Sequence, residues 1–183
     1  MNVDELIQDA QRRMDKSIEA TRGELNSVRT GRASAALLDR VNVDYYGQRT
    51  PLRQLATVNV PEPRLLTIQP FDPNSLKTIE RALQESDLGL TPSNDGKIIR
   101  LPIPQLTEER RKELVRYVRQ LAEEGRVAVR NVRRDVIHHL KELAEIGSDE
   151  EHRAEERVQK LTDEHVKSID ELLKHKEAEI MEV

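Results

Sequence analysis

The fold is decided by the stretch TEERRKELVRYVRQLAEEGRVAVRNVRRDVIHHLKELAE at residues 107–145. It contains no proline, and its apolar or small residues recur every three or four positions. They are Leu114, Val118, Leu121, Gly125, Val129, Val132, Val136, Leu140 and Leu143. This spacing predicts one long amphipathic helix that begins near Thr107 and reaches about Glu145. Because glycine costs about 1 kcal/mol relative to alanine inside a helix, Gly125 indicates a close contact with another helix.

Two further segments repeat this helical pattern. From Val3 to Val28 the apolar or small residues follow the same steps, and Gly31 supplies a C-terminal stop signal. The turn at 146–149 then begins a third pattern, which continues to the C-terminus. We therefore expect helices over about 3–30, over 107–145 and from the turn onward. None can bury its apolar stripe alone, which favours a long antiparallel three-helix bundle.

In the middle of the chain the spacing of the apolar residues changes. All eight prolines lie between Pro51 and Pro104, and the apolar residues there alternate rather than follow a helical step. The predicted elements are strands at 41–47, 55–60, 66–68 and 98–102 and one helix that begins at Asn74 or Ser75. They indicate a small β/α/β domain.

The order of these segments predicts an α+β protein of two domains. Residues 1–30 plus 106–183 form the three-helix bundle, and residues 31–105 form the inserted β/α/β domain. Because the first helix must return to pack against the other two, the crossings at Gly31 and at Pro104-Gln105 should lie side by side. Two adjacent crossings form a natural hinge.

Composition narrows the functional classes. The chain has 183 residues, a net charge of −4 and no cysteine, which excludes disulfides, Cys-ligated zinc, thiol catalysis and iron-sulfur chemistry. No apolar run approaches the roughly 18 residues of a membrane span. The N-terminal stretch is charged from Asp4 onward, unlike a signal peptide. We expect a soluble, cytoplasmic protein that makes no membrane contact.

Signals for catalysis, metals and cofactors are weak. The five histidines all fall in predicted helices, away from any glycine-rich elbow. His138 and His139 are adjacent and therefore point about 100 degrees apart, and no clear partner completes a metal site. The chain contains neither of the glycine-rich phosphate-binding motifs. We expect no catalytic residue, no metal and no cofactor.

The informative feature is the charge of the second long helix. Between positions 110 and 134 there are nine Lys and Arg residues against three Asp and Glu, whereas from 147 to 183 there are six against twelve. Six basic side chains share an arc about 100 degrees wide on the side of the helix away from the apolar stripe. They are Lys112, Arg116, Arg119, Arg126, Arg130 and Arg133. Arginine favours phosphate recognition through its bidentate fork, and Tyr117 is the one aromatic residue nearby, so RNA would be held by its backbone. The alternative is an ordinary solvated face, which Glu123 supports by lying within the same row.

Two more arginines, Arg29 and Arg32, flank the first crossing. Arg29 could be a partner of the helix dipole at the end of the first helix. Together with Arg110 near the opposite crossing, the two could instead extend the basic row.

Several blocks of sequence, spread over the whole chain, resemble the bacterial ribosome recycling factor family. They are RTGRAS at 29–34, YYG at 45–47, TPLRQL at 50–55, SDLGL at 86–90, LTEERRK at 106–112, RVAVRNVRRD at 126–135, QKLTD at 159–163 and KEAEIM at 176–181. The resemblance implies a monomeric, non-enzymatic translation factor with an L shape like that of tRNA. Such a factor binds large-subunit rRNA of the post-termination ribosome at the intersubunit bridges. Elongation factor G, which hydrolyses GTP, then drives it to split the subunits for reuse.

The resemblance also assigns roles to residues of this chain. It implies rRNA contacts at Arg29, Arg32, Arg110, Arg126, Arg130 and Arg133, with Arg130 central. Gly31 and Pro104-Gln105 would form the hinge, and the inserted domain would meet the elongation factor. The alternative function is a helical adaptor or chaperone that binds proteins through its charged bundle. A hydrolase would need a buried nucleophile, which the sequence does not display.

Overall fold

The computed structural model describes residues 1–182 and divides the chain into two compact units. One unit joins Met1–Thr30 to the residues from Thr107 onward, and the other is Gly31–Leu106. The helices are α1 (Val3–Asn26), α2 (Leu76–Gln84), α3 (Glu108–Lys141) and α4 (Ser148–Met181). The strands are β1 (Asn42–Tyr45), β2 (Gln48–Pro51), β3 (Ala56–Glu62), β4 (Leu65–Pro70), β5 (Ser93–Asn94) and β6 (Ile99–Pro102). The fold is therefore α+β, with a helical bundle and a small β unit.

The bundle consists of α1, α3 and α4, and interhelical contacts fix the helix directions. Thr21 lies opposite Gly125 and Arg13 opposite Asp135, so α1 and α3 are antiparallel. Arg119 pairs with Glu177 and Arg126 with Asp170, so α3 and α4 are antiparallel as well. The antiparallel three-helix arrangement agrees with the helical periods of the sequence.

The core of the bundle contains one residue from nearly every turn of each helix. Its members include Leu6, Ala10, Met14, Ile18, Ala122, Val129, Val136, Leu140, Ala154, Val158 and Ile169. Gly125 is buried among them. A Cβ built on Gly125 would clash with the Thr21 hydroxyl and lie 3.2 Å from Ile169 Cδ1. The predicted close helix contact at this glycine is confirmed.

Two helix ends differ from the sequence prediction. Helix α1 ends at Asn26 rather than near residue 30, because Ser27 caps it: the Ser27 N–H donates to Gly23 O, and its hydroxyl donates to Glu24 O at 2.6 Å. Gly31, with a φ of +78°, does have the conformation of a stop residue but lies in the segment beyond. Helix α3 ends at Lys141 rather than Glu145, with Glu142 as its C-cap. In both places local capping ends the helix before the apolar period does.

The second unit contains a four-stranded antiparallel sheet in the order β3-β4-β6-β5 and a separate β1-β2 hairpin. Its own core joins sheet, hairpin and α2, and includes Leu38, Val43, Leu52, Leu66, Ile68, Ile79, Leu83, Ile99 and Leu101. The predicted strands at 41–47, 55–60, 66–68 and 98–102 are confirmed as β1, β3, β4 and β6, although their ends differ by up to two residues. Strands β2 and β5 were not predicted.

The two missed strands have no alternating apolar residues. In β2 the residues Gln48–Pro51 are exposed or half-buried throughout, and β5 is two residues long and exposed. Strand β2 forms because Tyr46 and Gly47, with φ of 49° and 80°, reverse the chain in a tight turn onto β1. Turn chemistry rather than hydrophobic pattern therefore produces the hairpin.

Among residues 1–182, no helix is both long and apolar enough to cross a membrane.

Candidate nucleic-acid interface

Helix α3 carries most of the predicted RNA-binding residues, and local sequence explains where it begins. The Thr107 hydroxyl accepts a hydrogen bond from the Arg110 backbone N–H at 3.1 Å. Glu108 and Glu109 occupy the first turn, where the positive end of the helix dipole stabilises carboxylates. From that start, 34 residues extend about 50 Å and place basic side chains along the outside of the bundle.

Three of the arginines lie along the edge of α3 that faces α4, and we call Arg119, Arg126 and Arg133 the α4-edge arginines. Each donates from Nε to a side chain of α4. The acceptors are Glu177 Oε1 at 2.7 Å, Asp170 Oδ1 at 2.8 Å and Gln159 Oε1 at 2.6 Å, in that order. Arg119 remains 63% exposed and faces solvent as expected, despite its partner on α4. Arg126 and Arg133 are only partly exposed, so the expected solvent-facing row is interrupted at these two residues, where α4 supplies polar partners.

Arg126 is the most strongly held of the α4-edge arginines. Its side chain is 18% exposed, its Nη2 lies 2.7 Å from Asp170 Oδ1, and its Nη1 donates to Glu123 Oε2 at 3.0 Å. Burial lowers the pKa of the Arg126 guanidinium, but the hydrogen bonds with Asp170 and Glu123 outweigh burial and raise that pKa above its usual value. Arg126 is thus a permanent cation whose donors are largely used within the protein.

A second set of basic residues points away from α4, and we call Lys112, Arg116, Arg130 and Arg134 the outward cations. All four are exposed and lie within about 40 degrees of one another around the helix axis. The Arg130 side chain is 51% exposed, and its Nη1 lies 3.5 Å from Glu123 Oε1. Such long contacts between exposed groups hold a guanidinium weakly. Arg130 is therefore the predicted contact residue of α3 that is best placed to receive a phosphate.

Arg134 was missed by the sequence prediction. It is exposed and lies one helical turn from Arg130 on the same face. The helical angle alone could have included it, since the Arg130–Arg134 spacing is four residues. The predicted row ended at Arg133, so it lacked the next residue along the helix, Arg134.

Arg110 and Arg29 lie apart from the predicted residues in the middle of α3, which are Arg126, Arg130 and Arg133. Arg110 is about 160 degrees around α3 from Arg130 and roughly 30 Å along it, and its Nη1 donates to Glu113 Oε2 at 2.9 Å. Arg29 is exposed and follows the end of α1 by three residues, beyond the turn in which the helix dipole acts. Because α1 and α3 are antiparallel, Arg29 and Arg110 belong to the same end of the bundle.

The remaining predicted residues belong to the second unit. Arg32 is exposed in the segment before β1. Gly31 has a φ of +78°, and a Cβ there would lie 3.1 Å from Leu106 Cγ, so the two ends of this unit run side by side. Pro104 and Gln105 lie in an irregular stretch, residues 103–107. Both unit boundaries, 30/31 and 106/107, fall next to these positions.

The adjacent histidines of α3 are occupied by neighbours on the same helix. His138 Nε2 lies 3.0 Å from Glu142 Oε1, and His139 Nδ1 lies 2.8 Å from the Asp135 carbonyl oxygen. In the part of the chain that is described, residues 1–182, no group of three or more His, Asp or Glu side chains is arranged to hold a metal ion.

Comparison with known proteins identifies the family of this chain. The model of the family described as ribosome recycling factor matches residues 21–181, which include all of α3 and α4 and the whole β unit. The chain belongs to the ribosome recycling factor family. Membership covers both units, so the resemblance seen in the separate sequence blocks is confirmed along the chain.

Individual ribosome recycling factors are similar over nearly their whole length. The ribosome-recycling factor of Rubrobacter xylanophilus is 61% identical over 180 residues, which are 97% of each chain. That of Halalkalibacterium halodurans is 56% identical over 182 residues, 98% of each chain.

Two solved structures of ribosome recycling factors share the fold. One is a solution structure of the ribosome recycling factor, 44% identical, with a TM-score of 0.72 over 100% of this chain and 99% of that one. The other is the Thermus thermophilus factor in models of it and the Escherichia coli elongation factor G bound to the E. coli post-termination complex. It is 50% identical, with a TM-score of 0.63 over 100% of both chains.

Proposed function

We propose that this protein binds the post-termination ribosome and, together with elongation factor G, splits it into subunits for reuse. In this proposal the GTP is hydrolysed by elongation factor G, and the protein itself acts in the cytoplasm as a monomer without catalytic activity. Its contacts with large-subunit rRNA, at the intersubunit bridges, involve Arg29, Arg32, Arg110 and Arg130. Arg126 and Arg133, whose Nε donors are used by α4, add positive charge to the same surface.

One observation carries the proposal. The chain is 50% identical, over its full length, to a ribosome recycling factor that was placed with elongation factor G on a post-termination complex. Identity at that level over both units supports the same partners for this chain, because the similarity is confined neither to the bundle nor to the β unit.

The charges of α3 suit an RNA backbone. The net charge of the chain is −4, so phosphate attraction must come from a local surface, and the outward cations supply one. Arginine can bind a phosphate through two parallel N–H donors, and three of the four outward cations are arginines. Arg29 and Arg110 supply a second group of cations toward the other end of the helix. Two separated groups would contact two regions of folded RNA.

The second unit would meet the elongation factor and transmit its movement. Tyr46 and Phe71 are 79% and 66% exposed on this unit, in a chain with four aromatic residues. Exposed aromatic side chains are typical of protein contact surfaces. The proposed hinge is Gly31 with Pro104 and Gln105, since these residues lie at or beside the two boundaries between compact units.

A subunit-splitting assay tests the proposal. Post-termination ribosomes are incubated with the protein, elongation factor G and GTP, and the subunits are separated by sedimentation. We expect splitting only when all three are present, and co-sedimentation of the protein with ribosomes when GTP is omitted. Splitting that needs no elongation factor G, or no ribosome binding at moderate salt, would contradict the proposal. Ribosome binding that persists in high salt would instead favour the alternative function, a helical adaptor or chaperone that binds proteins.

A further inference from the structure

We propose that Glu123 is an internal competitor for the phosphate at Arg130, and so sets how tightly the bundle holds RNA. The carboxylate of Glu123 contacts one Nη of the Arg130 guanidinium in the free protein and gives way when an RNA phosphate binds. This inference rests on the proposed function, because it requires Arg130 to contact RNA. It makes Glu123 a positioning residue, since it acts through an arginine.

The geometry shows one carboxylate shared by two arginines. Glu123 Oε2 accepts from Arg126 Nη1 at 3.0 Å, and Glu123 Oε1 lies 3.5 Å from Arg130 Nη1. The Glu123 side chain is itself 54% exposed on the outer surface of α3. One carboxylate oxygen therefore lies beside the Arg130 guanidinium, at the place where a phosphate oxygen would bind. It also places a negative charge where RNA phosphates must approach.

If Glu123 loses its charge, Arg126 retains another acidic partner, whereas Arg130, among the residues that the structure describes, does not. Arg126 keeps Asp170, which lies within 2.8 Å of both its Nε and its Nη2, and its side chain stays largely buried. For Arg130, Glu123 is the acidic side chain at ion-pair distance within residues 1–182. Neutralising Glu123 therefore frees Arg130 but leaves Arg126 bound to α4.

The size of the effect follows from the exposure of the pair. Exposed ion pairs contribute up to about 1 kcal/mol, which corresponds to about a fivefold change in an equilibrium constant. Glu123→Gln should therefore tighten binding to large ribosomal subunits about two- to fivefold. The side chain keeps its length and its capacity to accept hydrogen bonds, so helicity should not change.

The matched control is Glu124→Gln. It removes the same charge from the neighbouring position of the same helix, and Glu124 is exposed as well. Glu124 points about 120 degrees away from Arg130 around the axis, roughly a Debye length distant at physiological salt. Its substitution should change the dissociation constant by less than about 1.5-fold, which separates a local release of Arg130 from a general change in net charge.

The experiment measures dissociation constants for purified large ribosomal subunits at fixed magnesium and about 100 mM monovalent salt. The variants are the parent, Glu123→Gln, Glu124→Gln, Arg130→Gln and the double variant with Glu123→Gln and Arg130→Gln. We expect the gain from Glu123→Gln to vanish in the Arg130→Gln background, because no guanidinium remains to be freed. Circular dichroism of each variant verifies equal helicity.

The outcomes separate this inference from the proposed function. If Arg130→Gln binds the subunits as well as the parent does, the assignment of Arg130 to RNA is wrong. If Arg130→Gln weakens binding while Glu123→Gln weakens it or leaves it unchanged, the competitor role is wrong and the RNA contact stands. Equal gains from Glu123→Gln and Glu124→Gln would likewise overturn the competitor role in favour of net charge.

Discussion

At the scale of single residues, Arg126 and Arg130 lie four positions apart on α3 but differ in their exposure and their partners. Both have Glu123 as a neighbour, but Arg126 is also held by Asp170 of α4 and is 18% exposed, against 51% for Arg130. A partly buried guanidinium with paired donors, such as that of Arg126, orients helices, whereas an exposed one with a single long contact can exchange its carboxylate for a phosphate. Exposure and partners, rather than residue type, therefore divide the arginines of α3.

Arg130→Ala should weaken ribosome binding about tenfold or more, because a charge-assisted contact of roughly 1.5 to 3 kcal/mol is lost. The free energy of unfolding should change by at most about 0.5 kcal/mol, since the side chain lies on the surface. Arg130→Lys should restore part of the affinity, because it keeps the charge but loses the bidentate fork. Between about 50 and 200 mM salt, the dissociation constant should also rise less steeply for the alanine variant than for the parent, because one fewer counterion is released. If Arg130→Ala binds ribosomes as tightly as the parent at equal helicity, Arg130 belongs to an ordinary solvated face and does not contact RNA.

Gly125→Ala should destabilise the bundle by about 1 to 3 kcal/mol, although alanine is the better helix former. An added methyl group would clash with the Thr21 hydroxyl, and rotation of Thr21 gives no relief because its Cγ2 lies 3.1 Å from the same point. The control is Gly23→Ala in α1, where nothing lies within 4 Å of the new Cβ. That change should stabilise the protein by up to about 1 kcal/mol. Urea denaturation followed by circular dichroism measures both, and a stabilising Gly125→Ala would disprove the close contact.

At the scale of elements, the turn between β5 and β6 shows how a short polar segment is held in a sheet. Asp95 Oδ1 accepts from the backbone N–H groups of Ile98 and Lys97 at 2.9 and 3.0 Å, and Oδ2 accepts from Arg100 Nη1 at 3.1 Å. These hydrogen bonds, first those from the Ile98 and Lys97 backbone and then that from Arg100, lower the pKa of Asp95 to about 2. The ionised carboxylate therefore replaces the apolar anchoring that β5 lacks.

The stability contributed by Asp95 should depend on pH. Its pKa is lowered in the folded state, so the contribution is fully present above about pH 4 and is lost as the pH falls toward about 2. Asp95→Asn keeps an acceptor but does not titrate. The variant should be less stable than the parent at pH 7, and the difference should shrink between pH 4 and 2. Denaturation midpoints across this range measure the effect, and a pH-independent difference would contradict it.

At the scale of the whole molecule, each unit has its own hydrophobic core. The bundle core is built from α1, α3 and α4, whereas the core of the β unit is built from residues between Leu38 and Leu101. Each apolar cluster is complete within its unit. The chain thus has the arrangement needed for one unit to fold without the other.

Deletion of Ala33–Pro104, with a short glycine-serine linker in its place, should leave a folded bundle. A flexible loop costs little to close, and the ends of the removed segment run close together, as the approach of Gly31 to Leu106 shows. The shortened protein should unfold cooperatively by circular dichroism and bind ribosomes, yet fail to split them with elongation factor G. Loss of cooperative unfolding would refute independent folding, and full splitting activity would refute a role for the β unit.

Hydrophobic periodicity and proline positions were sufficient to predict the three helices of the bundle and the mixed α/β character of the second unit. Helical periodicity reports burial on one face of a helix, and the restriction of prolines to residues 51–104 excludes long helices from that region. The contact at Gly125 could also be predicted, because a glycine inside a helix needs a steric reason. Periodicity did not locate the ends of α1 and α3, since caps depend on single hydrogen bonds.

The availability of the individual arginines for RNA could not be predicted, because it depends on how α4 packs beside α3. Arg126 and Arg133 lie at the edge of the predicted solvent face, and Asp170 and Gln159, more than 25 residues further along the chain, occupy their donors. A helical angle places a side chain around one axis but says nothing of the helix packed beside it. The shared contacts of Glu123 depend in the same way on side-chain positions, because one carboxylate can reach arginines three and seven residues away only in particular rotamers. Long-range packing therefore separates the arginines that hold the bundle together from those that remain open to a phosphate.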